Sequence, residues 1–320
     1  MKTTSISDKN VELDSRLHLD YKRLVKLQLQ ANKVSLLPKI KANTTMSGRH
    51  RSHFRGRGLN FEELRHYQVG DDIRNFDWKV TKRTGKPHVR SYTEEKDRNI
   101  IVCVDQRSSM FFSSVDTMKS VVAGDIAAIA AWCSLNDNDR VGLSIAAHTQ
   151  IHTRKPQRSP HQLLGQLRQL AEINQSLSAY SSDSSSVRFA DWIRSLLRLN
   201  LRGATLIMIS DWHDCSAAQL QQLIQLQQSN DLLAVVITDP LEHALPAPLS
   251  QDSWVLSDGT YQLSIDKRNQ VERINTSLIS RQAEQRVKLE KLMAVKTLPY
   301  VEITTSGDHI QQFIRAVGGR

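Results

Sequence analysis

Two carboxylates and a pair of hydroxyls are the residues of this chain best placed to do chemistry. Asp105 ends the run NIIVCVD, and Ser108 and Ser109 follow it closely. Asp211 ends a second run, ATLIMISD. Both runs are short, continuous and apolar, which is the pattern of a strand buried on both faces. Strands of one parallel sheet end at the same edge, and open α/β sheets bind their ligands there. The pattern therefore predicts that the two carboxylates converge. With Ser109 beside them they make an oxygen-rich set suited to Mg²⁺. The simpler reading is that each aspartate caps the helix after it. Arg107 interrupts the set, because a guanidinium has no lone pair to offer a cation. It can instead pair with Asp105 or Asp211, its charge standing in the ion's place.

The elements that must position these groups alternate from residue 99 onward. Strands are expected at 99–105, 140–147, 150–153, 204–211, 232–238 and 301–305. Helices are expected at 115–135, 161–173, 187–199, 217–228, 270–296 and 308–317. Such alternation predicts an α/β fold, a mostly parallel sheet with helices on both faces. Residues 176–186 read as a serine-rich loop, and 254–265 as a hairpin about Asp258-Gly259. Ahead of this domain, 1–44 read as a tail and a helix capped by Asp14, with Leu17, Tyr21, Leu24 and Val25 at helical spacing. Residues 45–98 read as a small, irregular, basic module. Within it Val69-Gly70-Asp71-Asp72 has turn chemistry. Extended pieces are expected about Phe76 and Trp78, and about Val89 and Tyr92. Arg65, Arg74 and Arg83 alternate with Asp71, Asp72 and Asp77, as in an ion-pair network. Tyr67, Phe76 and Trp78 are expected in the core rather than as stacking platforms.

Charge separates the two parts. The chain carries a net +10, all of it before residue 99: residues 1–98 hold 22 Lys/Arg against 12 Asp/Glu, and 99–320 hold 21 of each. Tyr21–Phe61 has ten Lys/Arg and no acid. Such asymmetry suits an acidic partner, with Arg49, Arg51, Arg55 and Arg57 as the contacts, or less readily nucleic acid. The sequence has no apolar run of transmembrane length and no secretory leader pattern. Its three cysteines, Cys103, Cys133 and Cys215, have neither disulfide nor zinc spacing. These features predict a cytoplasmic protein. The P-loop, G-x-G-x-x-G, H-E-x-x-H and G-x-S-x-G motifs are absent.

Residues 56–110 resemble the domain-of-unknown-function 58 (DUF58) family. Its run Arg-x-Tyr-x-x-Gly-Asp-x-x-Arg-x-x-Asp-Trp is matched by Arg65, Tyr67, Gly70, Asp71, Arg74, Asp77 and Trp78. Arg83, Glu94 and the strand-ending Asp105 follow in register. ITDPLEHALP, WVLSDG and TTSGDH extend the likeness to the C-terminus. The family is similar to von Willebrand factor A domains, whose metal-ion-dependent adhesion site uses Asp-x-Ser-x-Ser with a distant Thr and Asp. The resemblance implies that Asp105, Ser109 and Asp211 are metal ligands, with Arg107 the departure and a serine among Ser182–Ser186 in place of the Thr. It also implies a non-catalytic interaction platform. Members are often encoded beside MoxR-type AAA+ ATPases and other von Willebrand A proteins, so the partner expected is one of these. Nucleic-acid binding through 21–61 and a metal-dependent hydrolase at Asp105 and Asp211 are the alternatives.

Overall fold

The computed structural model of the protein describes residues 14–32, 59–94, 98–179, 187–245, 254–257, 262–265, 268–294 and 300–317. The chain forms two compact units, one of residues 44–97 and one of residues 1–43 with 98–320. Arg49, Arg51, Arg55, Arg57 and Ser182–Ser186 lie outside the described residues.

Two short helices, α1 (Tyr21–Lys26) and α2 (Gln28–Ala31), precede the smaller unit. The cap of α1 is Asp20, which accepts from the Lys22 amide; Asp14 instead closes a turn and pairs with Arg16. The smaller unit is an antiparallel pair, β1 (Leu59–His66) and β2 (His88–Glu94), with α3 (Trp78–Thr84) between them in sequence. Gly70 has φ +103°, the conformation its turn requires. Phe76 is extended and bridges Val89, as expected. Trp78, however, opens a helix rather than a strand. Asp77 accepts from the Lys79 and Val80 amides, and Gly85 at φ +70° ends the helix after two turns. Trp78 is also 66% exposed, not core, and stacks on Phe76 with 5.2 Å between centroids. Of the expected ion pairs, Arg65 grips Asp71 through two bonds of 2.6 and 2.8 Å. Asp77 takes Arg90, and Asp72 caps a short turn through the Arg74 amide.

In the larger unit the strands are β3 (Asn99–Gln106), β4 (Arg140–Ala147), β5 (Ile151–Thr153), β6 (Ala204–Ser210), β7 (Asp231–Thr238) and β10 (Val301–Thr304). The hairpin of β8 (Trp254–Ser257) and β9 (Gln262–Ile265) forms apart from them. The large sheet runs β10-β7-β6-β3-β4-β5, with every neighbouring pair parallel except β4 and β5. The helices are α4 (Lys119–Asn136), α5 (Pro160–Gln175), α6 (Phe189–Arg198), α7 (Ala217–Gln227), α8 (Pro240–His243), α9 (Arg268–Ala294) and α10 (His309–Val317). This is the α/β architecture that the alternating pattern predicts. Among the described residues no helix is long and apolar enough to cross a membrane.

The sheet divides two hydrophobic layers, because alternate residues of a strand face opposite sides. Ile100, Val102 and Val104 point to one layer with Ile207, Ile209, Leu233 and Val235. Ile101 and Cys103 point to the other with Leu206, Met208, Leu232 and Ala234. The first layer is filled by α1, α2, α4, α5 and α10, the second by α6, α7 and α9. The sequence suggests a single apolar face on the helix after β3. In the structure α4 is buried all round from Lys119 to Ser134. The N-terminal segment lies against it: a Cβ on Gly124 would stand 2.3 Å from a Leu19 methyl. That segment therefore completes the core of the larger unit.

Candidate functional site

The strand order makes β3 the turning point of the sheet. The chain passes from β3 to β4 and β5 on one side, then returns to β6 on the other. The gap above the ends of β3 and β6 is the topological switch point, where α/β sheets take ligands. Asp105 and Asp211 both stand there, with Val104 and Ile209 paired in register just before them. The sequence-predicted convergence is thus present.

The two carboxylates meet cations from this chain. Asp105 is fully buried. Its Oδ1 accepts from Arg107 Nε at 3.0 Å and from the Arg107 amide at 3.1 Å. Its Oδ2 accepts from Arg107 Nη2 and the Ser210 hydroxyl, each at 2.7 Å. The remaining guanidinium nitrogen, Nη1, reaches Asp214 at 2.8 Å, and the Phe189 ring lies 5.5 Å away. Of the two partners foreseen for Arg107, the structure selects Asp105 and adds Asp214. Asp211 instead pairs with Lys119, whose Nζ lies 3.0 Å from Oδ2 and 2.6 Å from Glu242 Oε1. Arg107 is 5% and Lys119 2% exposed, so both charges are internal.

Burial alone would push the Lys119 ammonium and the Arg107 guanidinium toward their neutral forms. The carboxylates beside them outweigh that and raise both above their ordinary values. Burial likewise favours protonated Asp211. The Lys119 charge, the His213 amide and Arg107 hold it below the usual carboxylate range instead. Each of the two aspartates is thus tied to a cation of this chain, Asp105 to Arg107 and Asp211 to Lys119.

A third strand-end aspartate completes the edge. Asp239 follows β7, the neighbour of β6, and is buried. It accepts from the Ser114 amide at 2.8 Å, Thr305 Oγ1 at 2.6 Å, the Leu241 amide at 2.9 Å and the Ser114 hydroxyl. Burial opposes its charge, and these donors hold it below the ordinary value. Glu242 joins the two clusters, because its Oε2 accepts from the Asp239 amide at 3.0 Å.

This donor set does not fit a divalent cation. Every oxygen of Asp105 and Asp211 already accepts from the protein, with one internal cation for each carboxylate. Ser109 is exposed in the turn Ser108–Met110, and the hydroxyl that reaches Asp105 belongs to Ser210. Among the described residues no cluster of three or more His, Cys, Asp or Glu could hold a metal. The sequence reading missed Lys119, Ser210, Asp214 and Asp239. Asp239 had a signal, since it ends a third apolar run in the manner of the first two. Lys119 had none: a lysine at a helix start is ordinarily solvated. The backbone marks the site as well, with Trp212 at φ +58° directly after Asp211. A non-glycine residue there is strained. It is held by its buried indole, whose Nε1 donates to the Val235 carbonyl at 3.3 Å.

Fold and site together define an α/β domain with a charged, internally neutralised strand edge. The profile of the DUF58 family, proteins of unknown function, matches residues 63–288, and the chain belongs to this family. The uncharacterized proteins Rv1480 of Mycobacterium tuberculosis and Mb1516 of Mycobacterium bovis are each 28% identical to it over 224 residues, covering 69% of this chain and 68% of theirs. Among solved structures, the conserved hypothetical protein BatB of Bacteroides thetaiotaomicron has a TM-score of 0.38 at 13% identity, over 68% of this chain and 96% of its own. An aerotolerance-related membrane protein of Bacteroides fragilis has a TM-score of 0.37 at 14% identity, over 69% and 98%.

Proposed function

We propose that the protein is a non-catalytic interaction platform, a von Willebrand A-like adaptor or co-factor of a MoxR-type AAA+ ATPase acting in protein assembly or remodelling in the cytoplasm. The observation that carries this reading is the pairing of Asp105 with Arg107 and of Asp211 with Lys119. A hydrolytic site at this edge would need a free carboxylate. A pre-neutralised edge serves docking instead. No divalent ion is assigned to it. The loop between β3 and α4 carries Phe112 and Val115, 37% and 59% exposed, on this edge. They are the apolar contacts it can offer. The association with the ATPase rests on the family's gene neighbourhood.

The test is co-expression of the tagged full chain with a MoxR-type ATPase from the same cell. Stoichiometric capture by wild type and loss with Val115→Asp are expected, the fold being intact by circular dichroism. Failure of wild type to retain the ATPase defeats the adaptor reading. Nucleic-acid binding draws on one observation, the exposed stack of Trp78 on Phe76 in the basic module. It requires oligonucleotide retention that weakens steeply with salt and with Trp78→Ala.

A further inference from the structure

A groove at the outer margin of the sheet has no part in the strand-end site. β5 is the last strand, and residues 154–157 continue its course along β4. The Arg154 amide donates to the Leu143 carbonyl at 2.9 Å, and Gln157 and Val141 exchange both backbone bonds at 2.9 and 3.0 Å. Gly142 admits that approach, because a Cβ there would stand 2.4 Å from the Arg154 carbonyl oxygen. Helix α5 lies opposite. Between helix and extended segment runs an open groove of about 620 Å³, lined among others by Arg154, Lys155, Gln157, His161, Gln162 and Gly165.

Three features say what fits it. The first is charge: from Arg140 to Ala171 the chain has five Lys/Arg, three His and no acid. Arg154, Lys155 and His161 are exposed on the groove. The second is the amides. Gln157 and Gln162 each offer a donor beside an acceptor, the complement of a peptide group. A phosphate backbone uses donors alone, and the groove lining holds no Phe, Tyr or Trp to stack a base, its one ring being the His161 imidazole. The third is Gly165. Glycine inside a helix costs stability, and the fold does not require it here. Its φ is not left-handed, and a Cβ would meet nothing within 4 Å. What its missing side chain does is keep the groove open.

We propose that this groove binds an extended acidic peptide segment of a protein partner, carboxylates against Arg154 and Lys155 and peptide groups against the glutamine amides. An extended chain beside an edge strand and a helix is a recurrent mode of peptide capture. The proposal goes beyond the adaptor reading and does not rest on it, because the groove is not the strand-end edge.

The experiment is fluorescence anisotropy of a labelled Glu/Ser decapeptide with the full chain, against a single-stranded oligodeoxynucleotide of equal length. Saturable peptide binding is expected, weakened at least tenfold by Arg154→Glu with Lys155→Glu, and equally by Gly165→Trp. The latter keeps every charge and fills the groove. Circular dichroism establishes that each variant is folded. The proposal is overturned if wild type does not bind the peptide, or if Gly165→Trp binds it as wild type does. It is equally overturned if the oligonucleotide binds more tightly and responds to the same groove variants.

Discussion

At the scale of single residues, the strand-end ion pairs make sharp predictions. Removing one member of a buried pair strands the other, at a cost of about 3–5 kcal/mol. Lys119→Met leaves Asp211 charged beneath the surface and should lower stability by about that much in urea denaturation. Lys119→Met with Asp211→Leu removes both charges and should recover most of the loss, since apolar replacements of buried pairs are often neutral. A double variant as unstable as the single one would mean that Asp211 is not what Lys119 serves. The same geometry governs metal affinity. Arg107→Ser frees Asp105 but leaves the Lys119 ammonium on Asp211. Calorimetric titration should therefore detect no gain in Mg²⁺ binding from Arg107→Ser alone. The gain should need Arg107→Ser with Lys119→Thr, when two carboxylates at adjacent strand ends repel each other unless a cation joins them. Mg²⁺ bound tightly by wild type would contradict the pairing seen here.

At the scale of elements, the N-terminal segment is fastened to the sheet by a buried polar chain. The Leu19 amide donates to Asn174 Oδ1 at 2.7 Å, Asn174 Nδ2 to Gln106 Oε1 at 2.8 Å, and Gln106 Nε2 to the Ser120 carbonyl at 2.8 Å. Asn174→Ala orphans a buried donor and a buried acceptor. Each orphan costs about 1–3 kcal/mol, so the variant should unfold at distinctly lower urea than wild type. A second fastening is Asp125 of α4, which accepts from Arg23 of α1 and from His309 Nε2 of α10 at 3.0 Å. Arg23→Ala should speed amide exchange in residues 21–31 before it affects the strands, because it loosens only that attachment. Helix α5 offers the opposite case. Gly165→Ala should raise stability by about 0.5–1 kcal/mol, the usual penalty of a mid-helix glycine, because nothing obstructs the added methyl.

At the scale of the whole molecule, the pH dependence follows from Asp211 and Asp239. Both are held below the ordinary carboxylate value in the folded chain, so the unfolded chain binds more protons in acid. Their contribution is complete above the unfolded value of about 3.9 and is lost as pH falls through and below it. Urea midpoints should therefore respond little to these groups between pH 7 and 5, then drop below pH 4. Asp239→Asn should be less stable at pH 7 and lose less on acidification. An equal acid loss in that variant would assign the effect to other groups.

The layered α/β architecture was legible from residue pattern alone. Continuous β-branched runs leave no polar face, so those strands had to be buried on both sides, with helices above and below. The same pattern also determined that Asp105 and Asp211 share an edge, since parallel strands end together. The turn at Gly70 is local and was equally legible, whereas the alternation of Arg65, Arg74 and Arg83 with Asp71, Asp72 and Asp77 did not single out the tie of Arg65 to Asp71. Other features were not legible, because they depend on contacts between residues far apart in the chain. Lys119 reads as a solvated helix start, and only the fold sets it against Asp211 and Glu242, 92 and 123 residues away. Trp78 reads as core, yet its helix carries the ring outward. Asn174 gives no local sign that it bridges Leu19 and Gln106. Whether the strand-end carboxylates would hold a metal or a cation of the chain was therefore a question of tertiary placement. Spacing brings acids together, but only packing decides which base reaches them first.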